Sequence, residues 1–81
     1  MKLILQFDTK VGPFYIGQSQ DGRFHPIFDD ESLGSYAHVW QATDDLAGNT
    51  TSSVLHPTTS DLLDTSALGI PEDPNEWSRL S

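Results

Sequence analysis

Residues 12–48 read GPFYIGQSQDGRFHPIFDDESLGSYAHVWQATDDLAG, and this stretch decides the fold. Its first half alternates apolar and polar residues, which predicts two strands, at 14–18 and 23–28. Asp21-Gly22 lies between them, and its glycine tolerates the positive φ that a tight hairpin turn requires. Outside this stretch, a first strand at 3–8 completes the predicted sheet.

The side chains of these strands are assigned to faces by their alternation. Leu3, Leu5 and Phe7 are predicted to share one face of the first strand. Phe14 and Ile16 share a face of the second strand, and they pair across the hairpin with the phenylalanines of the third. Pro26 cannot donate a ladder hydrogen bond, so it marks the third strand as an edge strand or as bulged.

The second half of the stretch predicts a helix at 36–47. Five residues recur at three- and four-residue spacing and form its apolar face: Val39, Ala42, Thr43, Leu46 and Ala47. Gly48 follows, where a left-handed residue commonly ends a helix. Asp44 and Asp45 lie in the last turn, where the helix dipole disfavours acidic side chains.

The fold class predicted from these elements is α+β. A three-stranded antiparallel sheet is covered on one face by the helix, and an ordered tail packs along it. The Ser/Thr-rich segment 49–60 is predicted to be a mobile loop. In the tail, 64–69 reads as a capped turn, and Asp73-Pro74 opens a short helix that docks Trp77 and Leu80. We expect residues 1–81 to form one small domain.

Charge is the strongest signal in the composition. Twelve acidic residues oppose four basic ones, giving a net charge of −8. Because binding to phosphates requires clustered lysine or arginine, nucleic acid and anionic membranes are predicted to be poor partners. A basic protein partner fits better, and so does an acidic surface that serves only solubility, which is the favoured interpretation. The chain has no cysteine, and the short apolar run at 3–5 predicts neither a signal peptide nor a membrane span, so we expect a cytoplasmic protein.

No group of residues has the spacing of a catalytic or metal site. His25, His38 and His56 lack the i, i+4 spacing of a helical zinc site, and each is predicted to have a surface or packing role. The acidic run 29–31 lacks the Asp-x-Asp-x-Asp-Gly pattern of a calcium loop. No Gly-x-Ser-x-Gly motif is present. We therefore predict a protein that is not an enzyme and that holds no cofactor or metal.

The candidate partner-binding residues are acidic and aromatic. Carboxylates before and on the helix are candidates for one acidic docking face, although the favoured interpretation is that these acidic residues have no binding role. Two aromatic residues four positions apart lie beside them. Trp40 is expected to complete the core, although an exposed position would make it an interaction anchor. The candidate residues are Asp29, Asp30, Glu31, Tyr36, Trp40, Asp44 and Asp45.

Several motifs carry a resemblance to known sequences. They are FYI at 14–16, DGRFH at 21–25, LGSYA at 33–37, QA-x-DDLAG at 41–48 and DTS-x-LGIPED at 64–73, followed by Trp77. Together they resemble a group of small uncharacterised bacterial proteins. The resemblance implies a bacterial hairpin–helix domain and no activity. The chain departs from the group's pattern at the helix start, where His38-Val39 stands in place of Thr-Pro.

Two functions are compatible with these observations. The first is a small acidic, non-enzymatic protein-interaction domain. The alternative is an acidic inhibitor that imitates nucleic acid and occupies a basic DNA- or RNA-binding protein. Only the imitator should compete with DNA and lose affinity steeply as salt rises.

Overall fold

The computed structural model describes residues 1–51, 54–55, 59 and 61–80. These residues form seven β-strands, one α-helix and two single-turn 3₁₀ helices. The strands are β1 (Lys2–Thr9), β2 (Gly12–Gln18), β3 (Phe24–Phe28), β4 (Glu31–Ser32), β5 (Val54–Leu55), β6 (Leu62–Leu63) and β7 (Ser78–Arg79). The helix α1 is Val39–Ala47, and the 3₁₀ helices are Thr65–Ala67 and Pro74–Glu76.

The main sheet is antiparallel and has five strands in the order β4-β3-β2-β1-β7. The α+β class is confirmed, but the prediction of three strands is wrong. The two additional strands are two residues long, which is too short for an alternating pattern to reveal them. A second, two-stranded sheet pairs β5 with β6, inside and just after the predicted loop. Most of residues 52–60 lie outside the described residues.

The acidic connection after β3 is a tight hairpin turn. Asp29 and Asp30 have φ values of 52° and 64°, so both central residues are left-handed, as in a type I′ turn. The turn pairs Phe28 with Glu31 and Ile27 with Ser32. Aspartate tolerates this backbone region better than most residues because its short side chain bonds locally. The turn geometry therefore explains two acidic residues that the sequence predicted as a partner surface.

This turn gives a stability prediction. Asp30→Gly is expected to raise the free energy of unfolding by about 0.5–1 kcal/mol, since glycine adopts the left-handed region without strain. That corresponds to about 2–8 °C in Tm for a domain of this size. Asp30→Ala is the matched control, because it removes the same charge but retains a Cβ. If Asp30→Ala had a Tm as high as that of Asp30→Gly, removal of the charge and not relief of backbone strain would explain the gain in stability.

Pro26 lies inside the sheet, not at its edge, and β3 shows no bulge. Phe24 exchanges backbone hydrogen bonds of 2.8 Å with Tyr36, on the side of β3 away from β2. Two residues later Pro26 faces the same side, because strand residues alternate in direction. Its carbonyl accepts a 2.7 Å hydrogen bond from the Leu33 N–H. The missing N–H thus falls on the side of the short strand β4, and the β2–β3 ladder is intact.

A bulge in β1 changes which side chains reach the core. Leu3 pairs with Gly17, yet Leu5 pairs with Ile16, so the register shifts between them. Leu5 is 7% exposed and Leu3 is 39% exposed. The predicted shared face is therefore right for Leu5 and Phe7, which both pack in or against the core, and wrong for Leu3.

The helix begins three residues later than predicted. Tyr36 belongs to the sheet through its bridge with Phe24. His38 is the N-cap residue, with an extended backbone at φ −130° and ψ 145°. The Gln41 side-chain oxygen accepts a 3.1 Å hydrogen bond from the His38 N–H, as the second half of a capping box does.

The left-handed residue that ends α1 is Asn49, not Gly48. Asn49 has φ 59°, whereas Gly48 has φ −90°. The Asn49 N–H donates to the Leu46 carbonyl and the Thr50 N–H to the Asp45 carbonyl, at 3.3 and 2.9 Å. This pair of hydrogen bonds is the Schellman motif, with asparagine in the position that usually holds glycine.

The core lies between the sheet and α1. Phe14 and Phe28 stack at 4.3 Å between ring centroids, which confirms the predicted cross-strand pairing. The predicted helix face is also confirmed, since Ala42, Thr43 and Leu46 are buried. The buried apolar residues are Leu5, Phe14, Ile16, Phe28, Leu33, Ala42, Leu46, Val54, Ile70 and Trp77.

The tail is bound to the rest of the molecule by Trp77 and β7. Trp77 is 4% exposed, its ring lies 5.8 Å from that of Phe7, and its indole N–H donates to the Pro71 carbonyl at 3.0 Å. The predicted cap is present, because the Asp73 carboxylate accepts from the Asn75 N–H at 2.9 Å. The short helix stops after one turn, since Trp77 is extended and leads into β7.

Candidate functional site

The structure places the seven candidate residues in two groups. Asp29, Asp30 and Glu31 lie at the β3–β4 turn. The other four lie just before α1 or on it: Tyr36, Trp40, Asp44 and Asp45. Asp29 and Asp30 line a cleft of about 240 Å³, and Asp30 also lines one of about 450 Å³; no residue of α1 lines either cleft. These two clefts therefore do not join the turn to the residues on and before α1.

Trp40 is exposed, so the expectation that it completes the core is wrong. Its side chain is 55% exposed. The buried stripe of α1 runs through Ala42, Thr43 and Leu46, and Trp40 lies about 100° from its centre at the 100° per residue of an α-helix. Trp77 from the tail occupies the core instead. Trp40 thus presents most of its indole to solvent.

An aromatic and acidic surface surrounds Trp40. The rings of His38 and Trp40 stack with centroids 5.9 Å apart and planes within 9°. Asp44 is exposed and lies one turn after Trp40, on the same side of the helix. We call His38, Trp40 and Asp44 the Trp40 surface. It combines a large apolar contact area with a carboxylate on one rigid element.

Asp45 faces a different direction, toward Tyr36. Burial, first, and a hydrogen bond with the Asp45 side chain, second, raise the pKa of Tyr36 to about 12. Both causes favour the neutral phenol, because an ionised Tyr36 would lose hydration and be repelled by the carboxylate. This contact links the segment before α1 to the last turn of the helix, and gives Asp45 a structural role.

The Tyr36–Asp45 contact predicts a pH dependence. The pKa of Tyr36 rises from about 10 when unfolded to about 12 when folded, so the folded state holds the proton more tightly. The stabilisation is complete below pH 10 and is lost as pH rises from about 10 to about 12. Tyrosinate absorbance should show Tyr36 half ionised at about pH 12, the upper end of this window.

Asp45→Asn is the informative variant for this titration. It should lower the pKa of Tyr36 while leaving it above 10, because burial is the larger cause. Tyr36→Phe is the control that removes this titration step altogether. An unchanged Tyr36 titration in Asp45→Asn would contradict the contact.

A polar cluster around His25 was not predicted. Its Nδ1 lies 2.9 Å from the Gly34 carbonyl and 3.2 Å from the Ser32 hydroxyl, and its Nε2 lies 3.1 Å from the Ser19 hydroxyl. Ser19 also bonds Asp21, and this bond is the main cause that lowers the pKa of the Asp21 carboxyl. The predicted packing role of His25 fits this placement, since the cluster joins the β2–β3 turn to the segment after β4.

The described residues include no cluster of three or more histidine, cysteine, aspartate or glutamate side chains that could hold a metal. His56 lies outside the described part of the chain. Within that part, no helix is both long and apolar enough to cross a membrane.

Comparison with protein-family models, curated proteins and solved structures found no match to this chain.

Proposed function

We propose that the protein is a small, non-enzymatic interaction domain that docks a basic protein partner through the Trp40 surface. The exposure of Trp40, at 55%, is the observation that carries this proposal. Tryptophan is enriched among the residues that contribute most to binding energy at protein interfaces. Here its ring stacks on that of His38, a contact that reduces the side-chain freedom lost on binding.

The charge of the partner follows from the surroundings of Trp40. Asp44 lies beside it, and the chain carries a net charge of −8. A basic partner is therefore attracted over long range and positioned by a carboxylate close to the apolar anchor. Asp29 and Asp30 are weaker candidates for contacting the basic partner, because the left-handed turn already explains why aspartate occupies both positions. The same proposal places the protein and its partner in the bacterial cytoplasm.

The test is capture of partners from bacterial lysate by the intact chain and by three variants. Trp40→Ala removes the apolar anchor, and Asp44→Asn removes the neighbouring charge. Asp30→Asn is the matched control, since it removes one charge from the other acidic group and asparagine tolerates the left-handed turn. Each variant is first checked by urea unfolding, and Trp40→Ala should lie within about 0.5 kcal/mol of wild type because the side chain is exposed.

We expect one basic protein to be retained by wild type and by Asp30→Asn, and its affinity to fall at least tenfold in Trp40→Ala, about the loss for a binding hot spot. Asp44→Asn should weaken binding mainly at low salt. Loss of the partner in Asp30→Asn but not in Trp40→Ala would overturn the choice of surface. A partner displaced by DNA would support the nucleic-acid imitator instead, and no specific partner would contradict both functions.

A further inference from the structure

A cavity lies between the start of α1, the first half of β1 and the tail. It has a volume of about 400 Å³. The lining residues are Lys2, Ile4, Leu5, Phe24, Val39, Pro74, Asn75, Arg79 and Leu80. We propose that this cavity binds a small amphipathic carboxylate, whose apolar body fills the cavity while its carboxylate lies between Lys2 and Arg79. This site is independent of the Trp40 surface and adds a ligand to the proposed function.

The walls of the cavity suit an apolar body. Five of the nine lining residues are aliphatic or aromatic, namely Ile4, Leu5, Phe24, Val39 and Leu80. Sites for small molecules are typically concave, mainly apolar and about 300–1,000 Å³ in volume, with a few polar groups that fix orientation. The cavity meets each of these criteria.

The two cations decide the charge of the ligand. The chain has only four lysine and arginine residues against twelve acidic ones, so positive charge is scarce. Arg23 is already bonded to the hydroxyl and carbonyl oxygens of Ser35, and Lys10 lies in the β1–β2 turn. The remaining two, Lys2 and Arg79, both line this cavity and are both exposed. Half of the lysine and arginine side chains thus line one apolar cavity, which favours an anionic head group there.

The chemistry of the head group follows from what the cavity offers. Two separate side-chain cations beside apolar walls suit a monoanion such as a carboxylate, which arginine binds with two parallel hydrogen bonds. Phosphates are often held by glycine-rich loops, and the nine lining residues include no glycine. A carboxylate on an apolar chain is therefore the best match.

The site depends on docking of the tail. Pro74, Asn75, Arg79 and Leu80 supply four of its nine residues. The tail is held at the cavity by the pairing of Arg79 with Leu5 and by the 2.9 Å hydrogen bond from the Leu80 N–H to the Ile4 carbonyl. A ligand that binds only the assembled cavity must stabilise the docked tail. Binding should therefore slow amide exchange at Leu80.

The carboxylate has two sources with the same chemistry. One is a free fatty acid of medium length, and the other is the C-terminus of an apolar peptide. Decanoate, below its micelle concentration, probes the first. N-acetyl-leucyl-leucine probes the second. Decanol is the matched neutral control, because it has the same chain without the charge.

The test is a titration of the intact chain followed by amide chemical shifts. Variants are Lys2→Gln and Arg79→Gln, with Lys10→Gln as a control that removes one charge outside the cavity. At least one carboxylate should shift the amides of Leu5, Val39 and Leu80, and Arg79→Gln should raise its Kd about tenfold, as expected for loss of a charge-assisted hydrogen bond. Lys2→Gln should act in the same direction, and Lys10→Gln should have no more than a twofold effect.

Several results would overturn the proposal. These are no saturable shifts with either carboxylate, shifts confined to other surfaces, equal Kd values for decanoate and decanol, or equal effects of Arg79→Gln and Lys10→Gln. Trp40→Ala should leave carboxylate binding unchanged, so failure here and failure of the Trp40 surface can be distinguished. Arg79 is exposed, and each variant's fold is checked by its spectrum without ligand.

Discussion

Trp77→Ala is expected to leave much of the protein unfolded at 25 °C. Truncating a buried tryptophan costs about 3–5 kcal/mol, which is comparable to the whole stability available to a domain of this size. Trp77 is 4% exposed and packs in the core that α1 and the sheet share. The substitution also removes the contact with Phe7 and the hydrogen bond to the Pro71 carbonyl.

Urea unfolding and amide exchange measure this effect. Trp77→Phe is the matched variant, since it keeps an aromatic ring and loses the indole N–H and some volume. It should be destabilised by about 1–2 kcal/mol, the range for a lost hydrogen bond with partial loss of packing. In both variants the Leu80 amide, bonded to the Ile4 carbonyl, should exchange faster than amides in the β2–β3 ladder. A Trp77→Ala protein with wild-type Tm would show that the tail is not part of the core.

The position of Trp77 also explains why the helix surface was mispredicted. In a small domain a tryptophan is usually needed to fill the core, and Trp40 lies on the predicted helix, close to the apolar face. The tail supplies Trp77 and Ile70 to the core, and Trp40 is left outside. Hydrophobic periodicity shows which residues of one helix share a face, but it does not show which distant segment fills the space beneath it.

The hairpin was predictable because its signals are local. Asp21-Gly22 requires a tight turn, and Gly22 has φ 83° as expected. The edge strands β4 and β7 were not predictable, since a strand of two residues is too short to show an alternation of apolar and polar side chains. The cavity lined by Lys2 and Arg79 could not be predicted either, because it depends on the pairing of the short strand β7. Its two cations lie near opposite ends of the sequence and come to line one cavity through the pairing of β7 with β1.

Thr65→Val is expected to destabilise the protein by about 1–3 kcal/mol, although it preserves the shape of the side chain. Thr65 is fully buried, and its hydroxyl donates a 2.5 Å hydrogen bond to the Leu46 carbonyl near the end of α1. Valine replaces the hydroxyl with a methyl group. The buried Leu46 carbonyl then loses its shorter bond and, among the described residues, keeps the 3.3 Å bond from the Asn49 N–H.

Thr65→Ser separates the hydrogen bond from the packing. Serine keeps the hydroxyl and loses one methyl group, worth about 0.8 kcal/mol of burial, so it should be the more stable variant. Thr43→Val is a parallel case, because the fully buried Thr43 hydroxyl donates to the Glu72 carbonyl at 2.6 Å. If urea unfolding ranked Thr65→Ser below Thr65→Val, packing of the methyl would outweigh the hydrogen bond. The expected order instead means that the Thr65 hydroxyl helps to hold the tail against the last turn of α1, and the Thr43 hydroxyl makes a second such bond from the middle of the helix. The tail in turn supplies Trp77, Arg79 and Leu80, so these two hydrogen bonds support the core and the cavity together with the packing of Trp77 and the pairing of β7.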